Sequence, residues 1–510
     1  MNRQEIISSL QFRTPIVLII GGGINGVGTF RDLTLQGVDT LIIDRSDFCS
    51  GASAASSRMA HGGIRYLENG EFHLVREAVQ ERNRMIQNAP SLVQPLPTTI
   101  PIFKLFSGLL NAPLKFLGWL DKPSERGGLI IKMGLIIYDA FTGKNRAVPR
   151  HVFNSRRDAL LKYPHLNPGI RYAATYYDGI ILSPERLTLE ILLDAENVGN
   201  HARALNYVTL AGMNGGTVLI HDEVTGSTLN IHPQLIINAT GPWIDITNRV
   251  LGLTTLYIGP TKGSHLILEN PDLRTAIGDH EFFFENKDGR IVLIFPLFDK
   301  VMIGTSDLPI ENPDSARCTE TEVDYFIEMV KRVFPDIKVS REQIVFRFSG
   351  VRPLAYTRAK NTGQITRDHH IHEDNIGNVP VYSLVGGKWT SFRAFSEQVT
   401  DRVLSYLGKQ RITDTKSLPI GAGKDATPIK TDAQYSPGEI TTLAMREKIV
   451  HLDDLLLRRT LLGYLGQLTG PLVERLAADL GNVLGWEQST RQAEVDRSLK
   501  ILADRHGIKL

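Results

Sequence analysis

The stretch from Ile16 to Gly28 constrains the fold of this chain more than any other. The apolar run Ile16 to Ile20 leads directly into the pattern Gly-x-Gly-x-x-Gly, formed by Gly21, Gly23 and Gly26. Such a run predicts a buried parallel strand, and the glycines predict a tight turn into a helix whose N-terminus faces an anion. The stretch therefore predicts a Rossmann-like domain in which the turn holds a pyrophosphate.

The next elements are those that a dinucleotide-binding unit requires. A helical stretch follows the glycines and ends near Gly37, and Thr40 to Ile43 is a second buried strand that ends at Asp44. An acidic residue about twenty positions after the glycines can accept hydrogen bonds from ribose hydroxyl groups. The arrangement fits NAD and FAD equally, and it includes the first predicted cofactor-binding residues, which are Gly21, Gly23, Asn25, Gly26 and Asp44.

Three later stretches carry small residues or glycines that let a backbone lie against a flat ligand: 50–63, 233–241 and 381–390. The last two are buried strands that lead into glycine, as the first strand does. A nucleotide domain that returns so late in the chain favours a long, buried FAD over an exchanging NAD. The predicted cofactor contacts in these stretches are Ser56, Ser57, His61, Gly62, Gly63, Thr240, Gly241, Gly386, Gly387, Lys388 and Thr390.

Length and composition limit the class of protein. The 510 residues exceed one ordinary core, and the net charge of +2 argues against a nucleic-acid partner. Cys49 and Cys318 provide neither a disulfide framework nor metal-ligand spacing, so we expect no metal site and a reducing compartment. The N-terminal residues lack the apolar core of a signal peptide and no run of eighteen apolar residues occurs, which predicts a cytoplasmic protein.

The rest of the chain predicts an α/β + α protein with a discontinuous FAD-binding domain. Strand patterns dominate from Tyr172 onward, with turns expected at Asp178-Gly179, Thr225-Gly226 and Asp299-Lys300. We expect an inserted antiparallel-sheet substrate domain, and a small C-terminal helical cap domain without evident chemistry. The predicted boundaries are 1–90, 171–250 and 356–415 for the FAD-binding domain, 91–170 for an insertion, 251–355 for the substrate domain and 416–510 for the helical domain.

Residues 102–141 form an unusual basic and apolar stretch. Leucine, isoleucine and phenylalanine residues alternate there with lysines such as Lys104, Lys115 and Lys132. This composition suits a segment in a bilayer interface, and it also suits core helices whose lysines reach out to water. The stretch is therefore a candidate site of peripheral membrane contact.

These stretches and several further motifs resemble the aerobic, respiratory, FAD-dependent glycerol-3-phosphate dehydrogenases, in the D-amino-acid-oxidase-like flavoprotein group. The chain departs from the family's pattern at Arg58, where lysine is common, in a longer insertion at 106–128 and in a shorter cap before His451. The matching stretches are GGGINGVG (21–28), SSRMAHGGIRYLENGEFHLVREA (56–78), INATGPW (237–243), KGSHLIL (262–268), DGRIVLIFP (288–296), IGTSD (303–307), FSGVRPL (348–354), ITRD (365–368), GGKWTSFR (386–393) and HLDDLLLRRT (451–460).

The resemblance implies oxidation of sn-glycerol 3-phosphate to dihydroxyacetone phosphate, with hydride passing from C2 to N5 of FAD and electrons continuing to a quinone. Arg65, Arg352 and Arg367 match the family's substrate-binding arginines, whose guanidinium groups suit phosphate oxygens. Tyr66 adds a hydroxyl donor. These four residues are the predicted substrate contacts.

His265, Arg352 and Lys388 are the predicted catalytic residues, because they match family positions at the substrate side of the flavin. A neutral His265 could accept the proton of the C2 hydroxyl group, or Arg352 could stabilise a developing alkoxide instead. Lys388 could stabilise negative charge on the reduced flavin or pair with a carboxylate. The identity of the base is left open.

Several functions remain open. The protein could be a respiratory dehydrogenase that reduces quinone, a soluble oxidase that produces hydrogen peroxide, or a flavin-binding sensor without turnover. Relatives that oxidise other polyol phosphates, such as erythritol phosphate, share much of the pattern. The basic and apolar stretch 102–141 favours the respiratory enzyme, peripheral on the inner face of the cell membrane, and a homodimer is left open.

Overall fold

The computed structural model describes residues 1–67, 70–104, 127–143, 146–285, 291–357, 368–421 and 429–510, and of Arg65 only the backbone. The described strands are β1 (Val17–Ile20), β2 (Thr40–Ile43), β3 (Met59–Ala60), β4 (Val93–Ile102), β5 (Val152–Ser155), β6 (Tyr172–Ile181), β7 (Ala202–Leu205), β8 (Val208–Asn214), β9 (Thr217–Asp222), β10 (Thr228–Ile231), β11 (Leu235–Asn238), β12 (Thr261–Leu268), β13 (Glu281–Glu285), β14 (Ile291–Leu297), β15 (Lys300–Gly304), β16 (Leu308–Pro309), β17 (Ile344–Arg352), β18 (His370–Ile376) and β19 (Val379–Val385).

The helices pack around these strands, and a π-helical turn, Leu455–Arg459, continues the twelfth of them. The described helices are α1 (Arg3–Leu10), α2 (Ile24–Leu35), α3 (Phe72–Asn88), α4 (Gly128–Phe141), α5 (Arg156–Lys162), α6 (Pro184–Glu196), α7 (Ile244–Leu251), α8 (Pro271–Ile277), α9 (Glu320–Val333), α10 (Phe392–Tyr406), α11 (Pro437–Arg446), α12 (Leu452–Asp454), α13 (Gly470–Leu484) and α14 (Gln488–His506).

The smaller of the two main sheets has the strand order β18-β19-β11-β1-β2-β7. All neighbouring pairs are parallel except β18 with β19. Ile20 pairs with Ile43 on one side and with Asn238 on the other, so the carboxyl ends of three strands meet at one edge. Helices α2, α6 and α10 pack together against this sheet. This is the predicted nucleotide-binding arrangement, and it brings Gly21, Asp44 and Thr240 to the same edge.

The larger sheet has the strand order β16-β12-β15-β14-β13-β4-β6-β3, with β17 added beside β12 and β5 beside β6. One of its faces packs against α5, α8 and α9, and the other packs against the C-terminal helices. The hairpins predicted around Thr225-Gly226 and Asp299-Lys300 are confirmed, because β9 pairs with β10 and β14 pairs with β15 in antiparallel fashion.

The turn predicted at Asp178-Gly179 is wrong. Both residues lie inside β6, opposite Leu96 and Pro95 of β4, in a ladder that continues to the end of the strand. A Cβ atom on Gly179 would lie 3.3 Å from the carbonyl oxygen of Ala60, so the glycine permits the close approach of β3 rather than a turn.

The sheet to which β4 and β6 belong bears on the predicted domain boundaries. Strands β4 and β6 both belong to the larger sheet, although the expected domain boundary placed β6 in the FAD-binding domain. Sheet membership supports a boundary after Ile181 instead of before residue 171. We therefore propose that 91–181 and 251–355 together build the substrate domain.

Candidate active site

A cavity of about 1520 Å³ lies between the carboxyl edge of the smaller sheet, the larger sheet and the C-terminal helices. Gly26 and Gly62 do not line it, and Arg367 and the side chain of Arg65 lie outside the described residues. The predicted site residues that line the cavity are Gly21, Gly23, Asn25, Asp44, Ser56, Ser57, His61, Gly63, Tyr66, Thr240, Gly241, His265, Arg352, Gly386, Gly387, Lys388 and Thr390.

Gly21, Gly23 and Gly26 are required in the first turn for different structural reasons. Gly21 has φ +109°, and a Cβ atom on Gly26 would lie 1.9 Å from the carbonyl oxygen of Gly21, so both are needed for α2 to pack against β1. Gly23 has φ −77°, which any residue adopts, and it precedes the first turn of α2 without a side-chain cap. Its missing side chain leaves the N-terminus of α2 open to a pyrophosphate.

Asp44 lies at the end of β2, where the predicted ribose contact belongs. Its carboxylate accepts hydrogen bonds from the backbone N–H groups of Gly22, at 2.6 Å, and Ser46, at 2.8 Å. Burial raises the pKa of Asp44 to about 6, although those two hydrogen bonds lower it. The group is therefore ionised near neutral pH and close to titration just below it.

The position of this pKa predicts a pH-dependent affinity for the dinucleotide. The ionised carboxylate is the better acceptor of ribose hydroxyl groups, so we expect the dissociation constant of FAD to rise as pH falls below about 6. If only the ionised form binds, each further pH unit costs about tenfold in affinity. Fluorescence titration of apoprotein with FAD between pH 5 and pH 8 measures this slope. Asp44→Asn, which cannot titrate, should lose the slope, and an identical slope in both proteins would refute the assignment.

The glycine pair after β19 closes the other side of the cavity. Gly386 and Gly387 have φ +76° and +88°, and a Cβ atom on Gly387 would lie 2.6 Å from Nδ2 of Asn25. The side-chain amide of Asn25 donates to the carbonyl oxygen of Gly386. This hydrogen bond joins the glycine pair directly to the glycine turn at 21–26. Thr390 Oγ1 accepts from His61 N at 2.9 Å and donates to His61 O at 3.0 Å, which joins the stretch 50–63 to the glycine pair.

Gly62 supports the stretch 50–63 on the side that faces away from the cavity. Its N–H group donates to Tyr138 Oη at 2.9 Å and to Asp178 Oδ1 at 3.1 Å. A Cβ atom on Gly62 would lie 2.3 Å from the same Tyr138 oxygen. Gly62 therefore allows the loop that carries Arg65 to pack directly against α4.

The predicted catalytic side chains come from separate elements of the larger sheet and the glycine-pair loop. Arg352, at the end of β17, donates to Thr305 Oγ1 at 2.9 Å, to Ser306 O at 3.1 Å and to Asp307 Oδ1 at 3.2 Å. Lys388 Nζ lies 3.9 Å from the centroid of the Tyr66 ring. Arg352 is therefore held at the cavity wall beside the carboxylate of Asp307, and Lys388 is held there on the face of the Tyr66 ring.

His265 on β12 is almost completely buried and lines the same cavity. Its Nε2 atom lies 2.8 Å from Ser57 Oγ, and its ring stacks on Phe348 with the centroids 4.9 Å apart. Burial, together with the charges of Arg352 and Arg58, lowers the pKa of His265 to about 3. The imidazole is therefore neutral at physiological pH.

Sequence reasoning missed several residues of the cavity wall. Tyr176 and Asp178 line the cavity from β6. They were not predicted as site residues, because a turn was expected at Asp178-Gly179. Ser53 Oγ accepts from Ile24 N at 2.9 Å and so holds the small-residue loop over the start of α2. The pattern of serines in that loop was visible, but this hydrogen bond was not.

The C-terminal helices, in which the sequence shows no evident chemistry, also form part of the cavity wall. Arg458 and Arg505 line the cavity. Arg458 and Arg459 donate to Asp47 Oδ2, each at 2.6 Å, and Asp47 lies in the loop that follows Asp44. The motif HLDDLLLRRT thus fixes the loop beside Asp44, the predicted ribose contact.

No candidate metal centre is seen in the described ranges. Within them, no group of three or more His, Cys, Asp or Glu side chains lies together as metal ligands do. The cavity instead joins an open helix N-terminus, a carboxylate at a strand end and a glycine-pair loop to a set of cationic side chains. This combination is typical of a protein that binds a dinucleotide in an internal cavity.

Comparison with known proteins specifies the dinucleotide and the family. The FAD-dependent oxidoreductase family matches residues 17–393. A glycerol-3-phosphate dehydrogenase of Synechocystis sp. is 36% identical over 443 residues, 82% of this chain and 74% of that protein. The chain therefore belongs to the FAD-dependent oxidoreductases and, among them, to the glycerol-3-phosphate dehydrogenase family. The resemblance inferred from the motifs and the expected cofactor, FAD, are confirmed.

Two further proteins are informative. A D-erythritol 1-phosphate dehydrogenase of Brucella abortus is 28% identical over 481 residues, 92% of this chain and 87% of that protein. The structure of a glycerol-3-phosphate dehydrogenase from Bacillus halodurans, complexed with FAD, aligns with a TM-score of 0.74 at 20% identity and covers 98% of this chain and 97% of that one. This likeness confirms the expected fold class.

Proposed function

We propose that this protein oxidises sn-glycerol 3-phosphate to dihydroxyacetone phosphate with FAD as its resident cofactor. The observation that carries the proposal is a single cavity in which the dinucleotide-binding edge meets Arg352, His265 and Lys388. FAD, when bound, supplies the acceptor for the hydride that leaves C2. The protein must bind the phosphate dianion, orient C2 and stabilise the charge that develops on its oxygen.

The residues present fit FAD. Gly23 and the first turn of α2 would hold the pyrophosphate, and Asp44 would accept the ribose hydroxyl groups. The paired loops at Gly387 and His61, joined through Thr390, would enclose the flavin. Gly21, Gly23, Gly386 and Gly387 line the cavity at these loops and carry no side chain that could occupy the space for the dinucleotide.

We further propose that Arg65 and Arg367 bind the phosphate group and that Arg352 and Lys388 act nearer to the reacting carbon. The support is the match of the four positions to the family motifs, together with the fixed place of Arg352 beside Asp307. A steady-state assay with an artificial electron acceptor tests the substrate. We expect kcat/KM to be highest for glycerol 3-phosphate and much lower for glycerol, which has no dianion.

A second candidate substrate is an erythritol phosphate, because the Brucella abortus enzyme aligns with more of this chain than the Synechocystis enzyme does. The same assay with D-erythritol 1-phosphate distinguishes the two. A kcat/KM that is higher for the four-carbon substrate would assign the protein to that reaction.

We also propose that the electrons pass to a quinone and that the protein lies peripherally on a membrane through α4. None of the helices in the described ranges is long and apolar enough to cross a bilayer. Leu135 and Tyr138 anchor α4 to the protein core, whereas Leu129, Met133 and Ile136 are 40%, 57% and 54% exposed on its other side. Residues 105–126 of the basic stretch lie outside the described residues.

The exposed face of α4 predicts reversible binding to anionic vesicles. An apolar side chain contributes about 1.5–3 kcal/mol when it is fully buried, and a lysine near anionic headgroups adds about 1 kcal/mol. Replacing Leu129, Met133 and Ile136 together by serine should therefore reduce flotation with liposomes by at least about tenfold.

A control variant removes apolar side chains elsewhere that are more exposed than those of α4. Phe12, Leu161 and Ile412 are 89%, 71% and 75% exposed and lie outside α4. Their joint replacement by serine should leave flotation unchanged. Equal flotation of both triple variants would show that α4 is not the contact.

A further inference from the structure

The pair formed by Ser57 and His265 is built more rigidly than a cofactor contact requires. The ring of His265 stacks on Phe348 on one side, and on the other a Cβ atom on Gly304 would lie 2.1 Å from its Cδ2 atom. The ring therefore cannot turn without moving a β-strand. Its only hydrogen bond within the described residues is the 2.8 Å contact of Nε2 with Ser57 Oγ.

The direction of that hydrogen bond follows from the other ring nitrogen. Nδ1 of His265 is buried and has no hydrogen-bond partner among the described residues. If Nδ1 carried the proton, a buried N–H group would lack an acceptor, whereas a bare lone pair avoids an orphaned donor. The proton therefore belongs on Nε2, which donates to Ser57 Oγ and leaves the serine hydroxyl hydrogen to point elsewhere.

The surroundings of Ser57 direct that hydrogen into the cavity. Ser57 lines the cavity and is half-buried, and the described residues offer its hydroxyl group no second partner. The next residue, Arg58, is fully buried and donates to the carbonyl oxygen of Leu182 at 2.7 Å, so the backbone at Ser57 is fixed. A fixed O–H donor thus faces the space that also contains Arg352.

We propose that the Ser57 hydroxyl group donates a hydrogen bond to the oxygen on C2 of the substrate, and that His265 is the positioning residue that aims it. The inference rests on the proposed function and assigns a role that the family resemblance left open. During the oxidation the C2 hydroxyl group passes its proton to water in the cavity while the hydride leaves C2 for the flavin. Ser57 and Arg352 together stabilise the negative charge on the oxygen as that proton leaves. His265 itself takes up no proton, in agreement with its neutral, buried state.

Four variants test the pair. Ser57→Ala should lower kcat about 10²-fold, the usual cost of one donor to a developing oxyanion. Ser57→Thr retains the hydroxyl group and should recover most of the loss. His265→Asn should lower kcat as well, and the double variant Ser57→Ala/His265→Asn should be no slower than Ser57→Ala alone, because both changes remove one hydrogen bond. FAD content, read from the flavin absorbance, should equal that of the wild type.

A matched control deletes a buried hydroxyl group outside the cavity. Ser396 on α10 is 2% exposed and contacts Thr29 Oγ1 at 3.5 Å. Ser396→Ala should keep the wild-type kcat.

The pH profile separates a positioning residue from a base. If His265 only positions Ser57, the dependence of kcat on pH should keep its shape in His265→Asn. If His265 were the catalytic base, the fall of kcat at acidic pH should disappear in this variant. NMR of ¹⁵N-labelled histidine in the FAD-loaded enzyme gives an answer without turnover: we expect His265 to stay neutral with its proton on Nε2 from pH 5 to pH 8.

Four results overturn the inference: an unchanged kcat in Ser57→Ala, losses that multiply in the double variant, the loss of an acid limb in His265→Asn, and a proton on Nδ1. A wild-type enzyme that oxidises no polyol phosphate would instead refute the proposed function, and the inference with it. Wild-type turnover with an unaffected Ser57→Ala variant refutes the inference alone.

Discussion

Gly23→Val is expected to fold normally and to be purified without FAD. The backbone at Gly23 has φ −77° and ψ 178°, which suits a β-branched residue, and a Cβ atom there would meet only Ser53 Oγ, at 3.2 Å. The valine side chain would nevertheless occupy the N-terminus of α2, where we propose that the pyrophosphate binds. Losing two charge-assisted hydrogen bonds, each worth about 1.5–3 kcal/mol, weakens FAD binding by roughly 10²- to 10⁴-fold.

The matched comparison is Gly26→Val in the same turn. Its Cβ atom would lie 1.9 Å from the carbonyl oxygen of Gly21, so this variant should fail to fold rather than merely lose FAD. The ratio of flavin to protein absorbance and the thermal midpoint separate the two effects. A Gly23→Val protein with the flavin content of the wild type would show that the pyrophosphate lies elsewhere.

Arg352→Ala is expected to lower kcat/KM for glycerol 3-phosphate by about 10²- to 10³-fold, with a large part of the loss in kcat. The guanidinium group of Arg352 is held by Thr305 and Asp307 at the cavity wall. A cation fixed near the reacting oxygen stabilises charge that appears only in the transition state, so its removal lowers kcat rather than only raising KM. Arg352→Lys retains the charge without the planar fork and should recover part of the activity.

An assay with unphosphorylated glycerol shows whether Arg352 acts at C2 or at the phosphate group of the substrate. If the arginine acts at C2, its removal should slow the oxidation of glycerol by a similar factor. A loss confined to glycerol 3-phosphate would assign Arg352 to the phosphate group instead. The surface control is Arg402, an exposed residue of α10 that forms an ion pair with Glu373. Arg402→Ala should keep kcat/KM within about twofold of the wild type.

The nucleotide-binding edge could be predicted from the sequence because its determinants are local. A buried strand, three glycines, a helix and an acid at the end of the next strand specify one another within about thirty residues. The register that pairs Ile20 with Ile43 brings Gly21 and Asp44 together as expected. Thr240, Gly241, Gly386 and Gly387 also line the cavity, since they follow β11 and β19, which belong to this sheet, whereas His265 and Arg352 reach the cavity from the larger sheet.

The parts that could not be predicted depend on distant contacts. Asp-Gly at 178–179 has the composition of a turn, but its glycine is required by the approach of Ala60, more than a hundred positions earlier. Asp47 and Arg459 are 412 positions apart, so the contribution of the C-terminal helices to the site had no local signal. The hydrogen bond between Ser57 and His265 spans 208 positions and likewise appears only in the folded chain.

Anaerobic mixing of the FAD-loaded protein with sn-glycerol 3-phosphate tests the proposed reaction most directly. We expect the visible flavin absorbance to bleach, with one molecule of dihydroxyacetone phosphate formed per flavin, and we expect glycerol at the same concentration to bleach it far more slowly. A protein that retains its FAD but whose flavin stays oxidised in the presence of glycerol 3-phosphate would contradict the proposed function.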